Sequence, residues 1–273
     1  VGNLTTSVKE LEKANFLGFS ISIFEKDQLI TFIERNVDFN LKNIYYGHSL
    51  WVISNLVKQP NIYLYGEKAD VLITDGRLFY LIAKFHGLPI KYNISIPQLV
   101  LLTLHLANKN NWSVFVLGGK ETINKKAVQN IQSKHIGIKL VKGRDGYFSE
   151  DESENIINLI NQLRFNVLLI GISSPKKEMI ATIWKEKLNT NIIIPCGGMI
   201  DVLAGKTKIT PSWIKKLGLA SLYRFFQEPK RLFHKTLNTY CFILFRFLPI
   251  YLLKVRLAHN ENFHLYKYFN NIK

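Results

Sequence analysis

Short apolar runs alternate with stretches of helical period along the first two thirds of the chain, which predicts a sheet whose strands are joined by helices. Val71-Leu72-Ile73, Val167 to Ile170 and Ile192 to Ile194 are brief and continuously hydrophobic, and Trp112 to Leu117 and Ile138 to Val141 are nearly so, each broken by one polar residue (Ser113 and Lys139). Strands buried on both faces have that pattern. Ile44-Tyr45-Tyr46 is a further short run, and Phe16 to Ile23 alternates loosely enough to be a first strand. Between them, Phe24 to Arg35 spaces Phe24, Leu29, Ile30, Phe32 and Ile33 as one helix face. Leu50 to Val57, Leu78 to Phe85, Leu99 to Asn108 and the segment opened by Thr122 are also expected to be helical. Ser149 and Glu152 make a capping box for a helix through Leu163, and Ser174-Pro175 supply an N-cap and first-turn proline for the next. Strands then recur at roughly 25–30 residues, the spacing of βα units in a mainly parallel sheet covered on both faces.

After Gly205 the pattern changes. Pro211 to Gly218, Leu219 to Gln227 and Pro229 to Lys235 predict short basic helices carrying several aromatics. Tyr240 to Leu253 is very apolar but is interrupted by Arg246 and Pro249, and its 14 residues fall short of a bilayer span of about 20 residues. Interleaved Lys/Arg and aromatics suit a segment lying on an anionic membrane surface; a helical layer with a solvated basic face is the plainer alternative. The expected division is a core over residues 1–205 and a C-terminal appendage over residues 206–273.

Charge sharpens this division. The 273 residues include 36 Lys/Arg and 20 Asp/Glu, a formal net charge of +16. From Thr210 onward eleven basic residues stand against two acidic ones, so over half the excess lies in the last quarter. Such a balance calls for nucleic acid, anionic lipid or a phosphorylated substrate. A nucleic-acid partner would need a basic groove in the core or a recognisable reading module, and neither is present, so none is expected. Cys196 and Cys241 are the only cysteines, too few to form a zinc site alone and no disulfide scaffold. Val1 to Ser7 lack a basic and then apolar leader, and a reducing cytoplasm is the expected compartment.

Candidate chemistry sits at the strand ends. Thr74-Asp75-Gly76 places a carboxylate beside a glycine where a parallel strand stops, a position at which open α/β sheets bind ligands. A plain Asp-Gly turn is the alternative. Gly118-Gly119 lies between a strand and a helix N-terminus, so it is either a phosphate cradle or an ordinary βα turn.

Six motifs stand in order: Thr74-Asp75-Gly76; Leu117-Gly118-Gly119; Asp145-Gly146-Tyr147-Phe148; Gly171 with Pro175-Lys176 and Glu178; Gly197-Gly198 with Asp201 and Ala204-Gly205; and Gly218-Leu219, Leu222-Tyr223-Arg224 and Gln227-Glu228-Pro229-Lys230-Arg231-Leu232. This series resembles the WecG/TagA/CpsF family of glycosyltransferases from about Leu17 to about Leu248. The resemblance implies a Rossmann-like core with a C-terminal appendage that brings the enzyme to the cytoplasmic face of the plasma membrane as a peripheral protein. It implies transfer of a sugar, of N-acetylmannosamine type or a related hexose, from a UDP-sugar to a polyprenyl-diphosphate-linked sugar in cell-surface polysaccharide or teichoic acid synthesis. Inversion, no required metal and no cofactor are part of that expectation, and a homo-oligomer is compatible with it.

By the same resemblance Asp75 falls on the catalytic base. Candidate substrate-binding positions are Tyr46, His48, Thr74, Gly76, Gly118, Gly119, Asp145, Tyr147, Pro175, Lys177, Glu178, Gly197, Gly198 and Asp201, with Arg224, Lys230 and Arg231 from the appendage. The chain departs from the family pattern at Tyr46-Gly47-His48, Ile96-Pro97-Gln98, Lys177 and Ala220. Those departures bear on the donor more than on the reaction, and a drifted member serving as a membrane scaffold is the alternative they leave.

Overall fold

The computed structural model describes residues 10–256 and 262–271, so Val1 to Ser7 lie outside it. Eight strands are present among the described residues: β1 (Glu12–Phe16), β2 (Phe19–Ile23), β3 (Asn43–His48), β4 (Val71–Thr74), β5 (Ser113–Gly118), β6 (Leu140–Arg144), β7 (Val167–Gly171) and β8 (Ile192–Pro195). β3 to β8 form one parallel sheet in the order β4-β3-β8-β7-β5-β6. This is the mainly parallel α/β sheet that the pattern predicts and the Rossmann-like core that the resemblance implies. Along each central strand alternate side chains enter two separate cores. Phe115, Leu117, Leu168, Ile170 and Ile193 serve one, and Val114, Val116, Val167, Leu169, Ile192 and Ile194 the other. With both faces buried, an unbroken apolar run is the only stable composition.

Two expectations change. The stretch from Phe16 to Ile23 is not a strand of the main sheet: it belongs to the antiparallel β1–β2 hairpin, a two-stranded sheet of its own. Leu17 and Gly18 both have positive φ (54° and 94°), so the chain reverses there and Phe16 pairs with Phe19. The second change is at the C-terminus. Pro229 to Arg256 is one helix of 28 residues rather than a short basic helix followed by a broken apolar run. By length and composition it could cross a membrane, although only 17% of its most apolar stretch is buried in the protein.

Packing explains the continuity of that helix. Ile243, Phe247, Tyr251 and Val255 are buried in the same core as the hairpin residues Phe16, Phe19 and Ile21. A four-residue repeat drifts by about 40° per step around an α-helix of 3.6 residues per turn. Two π-helical stretches, Ile243–Phe247 and Tyr251–Arg256, widen the turns so that the stripe stays aligned. Pro249, which lacks an N–H to donate, falls between them. The appendage therefore shares a core with the N-terminal hairpin.

Candidate active site

Because the sheet is parallel, the carboxyl ends of β3, β4, β7 and β8 lie along one edge, where open α/β sheets bind ligands. Asp75 follows β4 directly. Its N–H donates to the His48 carbonyl (2.7 Å), which extends the ladder by one residue, and its Oδ1 accepts from the Ile96 N–H (3.1 Å). A Cβ on Gly47 would stand 2.7 Å from the Asp75 Cβ and 2.8 Å from Ile96, so only glycine lets the aspartate sit this close to β3. The side chain is half-buried. Burial raises its pKa, opposed by the Ile96 N–H and by the charges of Lys177, Arg224 and Lys235.

Those three cations come from three elements. Lys177 opens the helix Lys176–Lys185 after β7, with its ammonium paired to Glu178 and 5.1 Å from the Tyr46 ring centre. Glu178 is buried, and one of its oxygens also accepts from Tyr46 Oη (3.3 Å) and Ser174 Oγ (2.7 Å). Ser174 thus anchors Glu178 rather than capping the helix. Arg224, from the helix Ala220–Gln227, donates Nη2 to the Gly198 carbonyl (3.3 Å), while its Nε is buried with no partner. Lys235, which sequence reasoning passed over, lies in Pro229–Phe242 with its ammonium 3.9 Å from the centre of the Trp51 ring. Desolvation, then Lys177 and Arg224, push the Lys235 ammonium down to about 8. The residue as a whole remains exposed to solvent.

Around this cluster β8 runs into Cys196-Gly197-Gly198. The Gly197 position faces the Lys177 Cε (3.8 Å from a built Cβ), and Gly198 faces Arg224 Nη2 at 2.8 Å and Arg231 Nη2 at 3.7 Å. Burial drives the Cys196 thiol up to about 12, so it stays protonated. Asp201 lies at the margin, 3.0 Å from the Lys206 ammonium and 3.6 Å from Arg231 Nη1, and Arg231 also pairs with Glu228.

The other expected positions are distributed unevenly. Gly76 (φ 105°) begins the helix Arg77–Phe85 with open space at its Cβ position, whereas Thr74 is buried with its hydroxyl donating to Asn93 Oδ1 (3.1 Å). Pro175 leads into the Lys177 helix, and Lys230 is exposed. His48 differs from its expected place at the ligand. It is wholly buried, with Nε2 2.7 Å from Glu67 Oε1 and edge-on contacts to Phe19 and Tyr46. Alternation explains this, because His48 follows Tyr46 by two residues and shares its face.

Gly118 and Gly119 form a tight junction instead of an open cradle. The Gly119 N–H donates to the Gly171 carbonyl (3.3 Å), its carbonyl accepts from Gly146 (2.9 Å), and a Cβ on Gly118 would stand 2.4 Å from the Gly171 oxygen. Asp145 accepts from the Tyr147 N–H (2.8 Å), leaving the Tyr147 ring largely exposed beside this junction. Ile96-Pro97-Gln98 forms the capped start of Ile96–Lys109, and that start aims the Ile96 N–H at Asp75. Among the described residues no group of three or more His, Cys, Asp or Glu is placed to share a metal ion.

Comparison with known proteins places the chain in a family. A UDP-Gal:alpha-D-GlcNAc-diphosphoundecaprenol beta-1,4-galactosyltransferase of Shigella boydii is 27% identical over 161 residues, which cover 58% of this chain and 68% of the relative. The model of the glycosyl transferase WecG/TagA/CpsF family matches residues 14–257, from the hairpin through the long C-terminal helix and including every residue of the cluster around Asp75. The chain is a glycosyltransferase of that family.

Proposed function

We propose that this enzyme transfers a hexose or N-acetylhexosamine from a UDP-sugar to a sugar carried on a polyprenyl diphosphate, with inversion, at the cytoplasmic face of the plasma membrane. The observation that carries this reading is one half-buried carboxylate, Asp75, within the field of three cations from separate elements. Asp75 accepts the proton of the acceptor hydroxyl as that oxygen bonds to the anomeric carbon. The bond from that carbon to the UDP oxygen breaks, and UDP leaves with the electron pair. Lys177 and Arg224 are suited to meet the developing diphosphate charge. A single displacement inverts the centre. Glu178, the other nearby carboxylate, is engaged with Tyr46, Ser174 and Lys177, which argues against a second, covalent step through it.

The Shigella relative's name gives UDP-Gal as donor and GlcNAc-diphosphoundecaprenol as acceptor, which supports both substrate classes and adds galactose to the donors to be tried. Lipid attachment is supported by the exposed apolar side chains Phe233, Leu237, Phe245 and Leu253 on the long helix. The test is release of UDP from a panel of UDP-sugars with a polyprenyl-diphosphate-GlcNAc analogue. Acceptor-dependent release from one donor is expected; hydrolysis at the same rate with and without acceptor would overturn the reading.

A further inference from the structure

Lys235 has chemistry that its contact with Trp51 does not use. Its ammonium stands over the indole 3.9 Å from the ring centre, and among the described residues it has no carboxylate within ion-pair distance. The charges of Lys177 and Arg224 fall on it, and those of Glu178 and Asp75 only partly offset them. Glu178 is already committed to Lys177, Tyr46 and Ser174. Arg224 keeps a buried Nε without a partner. Three cations thus converge on a region with too little negative charge of its own, an arrangement that an entering anion stabilises.

The helix carrying Lys235 is docked rather than loose. Thr239 Oγ1 lies 3.4 Å from Ser54 Oγ, one turn along from the Lys235–Trp51 contact, and the same helix continues into the buried stripe from Ile243 to Val255. Lys235 is therefore held against the segment that follows β3, on a helix that also carries the exposed apolar residues Phe233 and Leu237.

We propose that Lys235 is a diphosphate-binding residue, which leaves the Trp51 ring to join Lys177 and Arg224 on a substrate diphosphate beside Asp75. An indole face holds an ammonium more weakly than a phosphate oxygen does, so the transfer is downhill. This rests on reading the site as one that handles diphosphate substrates, of which there are two: the UDP of the donor and the lipid diphosphate of the acceptor.

The experiment is calorimetric titration of the full chain with UDP and, separately, with farnesyl diphosphate, neither of which carries a sugar. The proteins compared are wild type, Lys235→Gln, Lys235→Arg and Thr239→Ala. Lys235→Gln should weaken binding of at least one probe by roughly ten-fold or more, the scale of a lost charge-assisted hydrogen bond. Lys235→Arg should restore most of it, and Thr239→Ala, which loosens the helix without touching the charge, should not reproduce the loss. Loss confined to UDP assigns the donor's diphosphate, and loss confined to farnesyl diphosphate assigns the acceptor's.

A second signature follows from the lowered Lys235 pKa of about 8. At that pH the free side chain is about half protonated, and a bound anion draws in the remainder, so wild type should take up protons on binding. Lys235→Arg should not, because arginine is already charged. The proposal is overturned if wild type binds neither probe, if Lys235→Gln binds both as wild type does, or if Lys235→Arg or Thr239→Ala is as weak as Lys235→Gln. Failure of UDP release with intact, Lys235-dependent binding of the probes would count against the proposed reaction and leave this site standing.

Discussion

At Asp75 the conflict between stability and chemistry takes a measurable form. Burial raises its pKa, so the fold favours the protonated carboxyl, whereas a base must be ionised. A raised folded-state pKa contributes stability below the unfolded value that is lost as pH rises through the folded one. At neutral pH the ionised Asp75 is therefore a net cost to the fold. Asp75→Asn keeps an oxygen for the Ile96 N–H and removes that cost. It should melt no lower than wild type while turnover falls by about 10²- to 10⁴-fold, as expected for a lost general base. The wild-type rate should fall on the acid side at a pH above the ordinary aspartate range. Turnover by Asp75→Asn near the wild-type rate would remove Asp75 from the role of base. The apolar run placed Asp75 at a strand's carboxyl end, and only the family resemblance pointed to it as a base. Lys235 was not legible in the sequence, since nothing local to Pro229–Phe242 distinguishes it from its solvated neighbours; only docking against Trp51 does.

Elements built from continuous apolar runs were readable for the same reason that they are stable: β5, β7 and β8 have two cores to fill and no polar face. The hairpin and the long helix were not, because tertiary contacts decide both. A proline and an arginine read locally as interruptions, yet the buried stripe from Ile243 to Val255 carries the helix through them. The hairpin is fastened in a way that His48 reveals. Glu67 accepts from the Ser20 N–H of β2 (3.2 and 3.3 Å) while contacting His48, and these contacts hold its carboxyl below the usual range against the opposing effect of burial. Glu67 thus joins β2 to the end of β3. Glu67→Gln should cost about 2 kcal/mol and lower Tm by roughly 5 °C. The wild-type advantage should fade as pH drops below the ordinary glutamate range, since a depressed folded pKa contributes stability only above it. Donor KM should not change. A KM that moves several-fold with Tm constant would place His48 at the substrate after all.

For the whole molecule, the distribution of apolar and basic side chains bears on the proposed seating of the enzyme on lipid. The long helix could span a bilayer by length and composition, but Ile243, Phe247, Tyr251 and Val255 are already packed against the protein. A spanning helix would have to strip that face from the core and expose Phe16, Phe79 and their neighbours, which is unfavourable at ~25 cal/mol per Å² of apolar surface. Lying along the membrane needs no such rupture. Phe226 (76% exposed), Phe245 (77%) and Leu253 (60%) face outward, as does Phe85 (64%) from Arg77–Phe85, with the Arg256 guanidinium 4.6 Å from the Phe85 ring centre. Lys230, Arg246 and Lys254 add exposed charge along the same helix, each worth roughly 1 kcal/mol near anionic lipid. The protein should therefore sediment with vesicles containing anionic lipid and much less with neutral ones. Salt at 1 M should release a large part of it, because the screening length then falls to about 3 Å. Phe245→Glu combined with Leu253→Glu alters only exposed positions, so it should weaken vesicle binding while leaving Tm within about 2 °C of wild type. Alkaline carbonate distinguishes the two seatings directly: a surface-bound enzyme is stripped into the supernatant, whereas retention in the membrane pellet would mean that the helix leaves the core and spans.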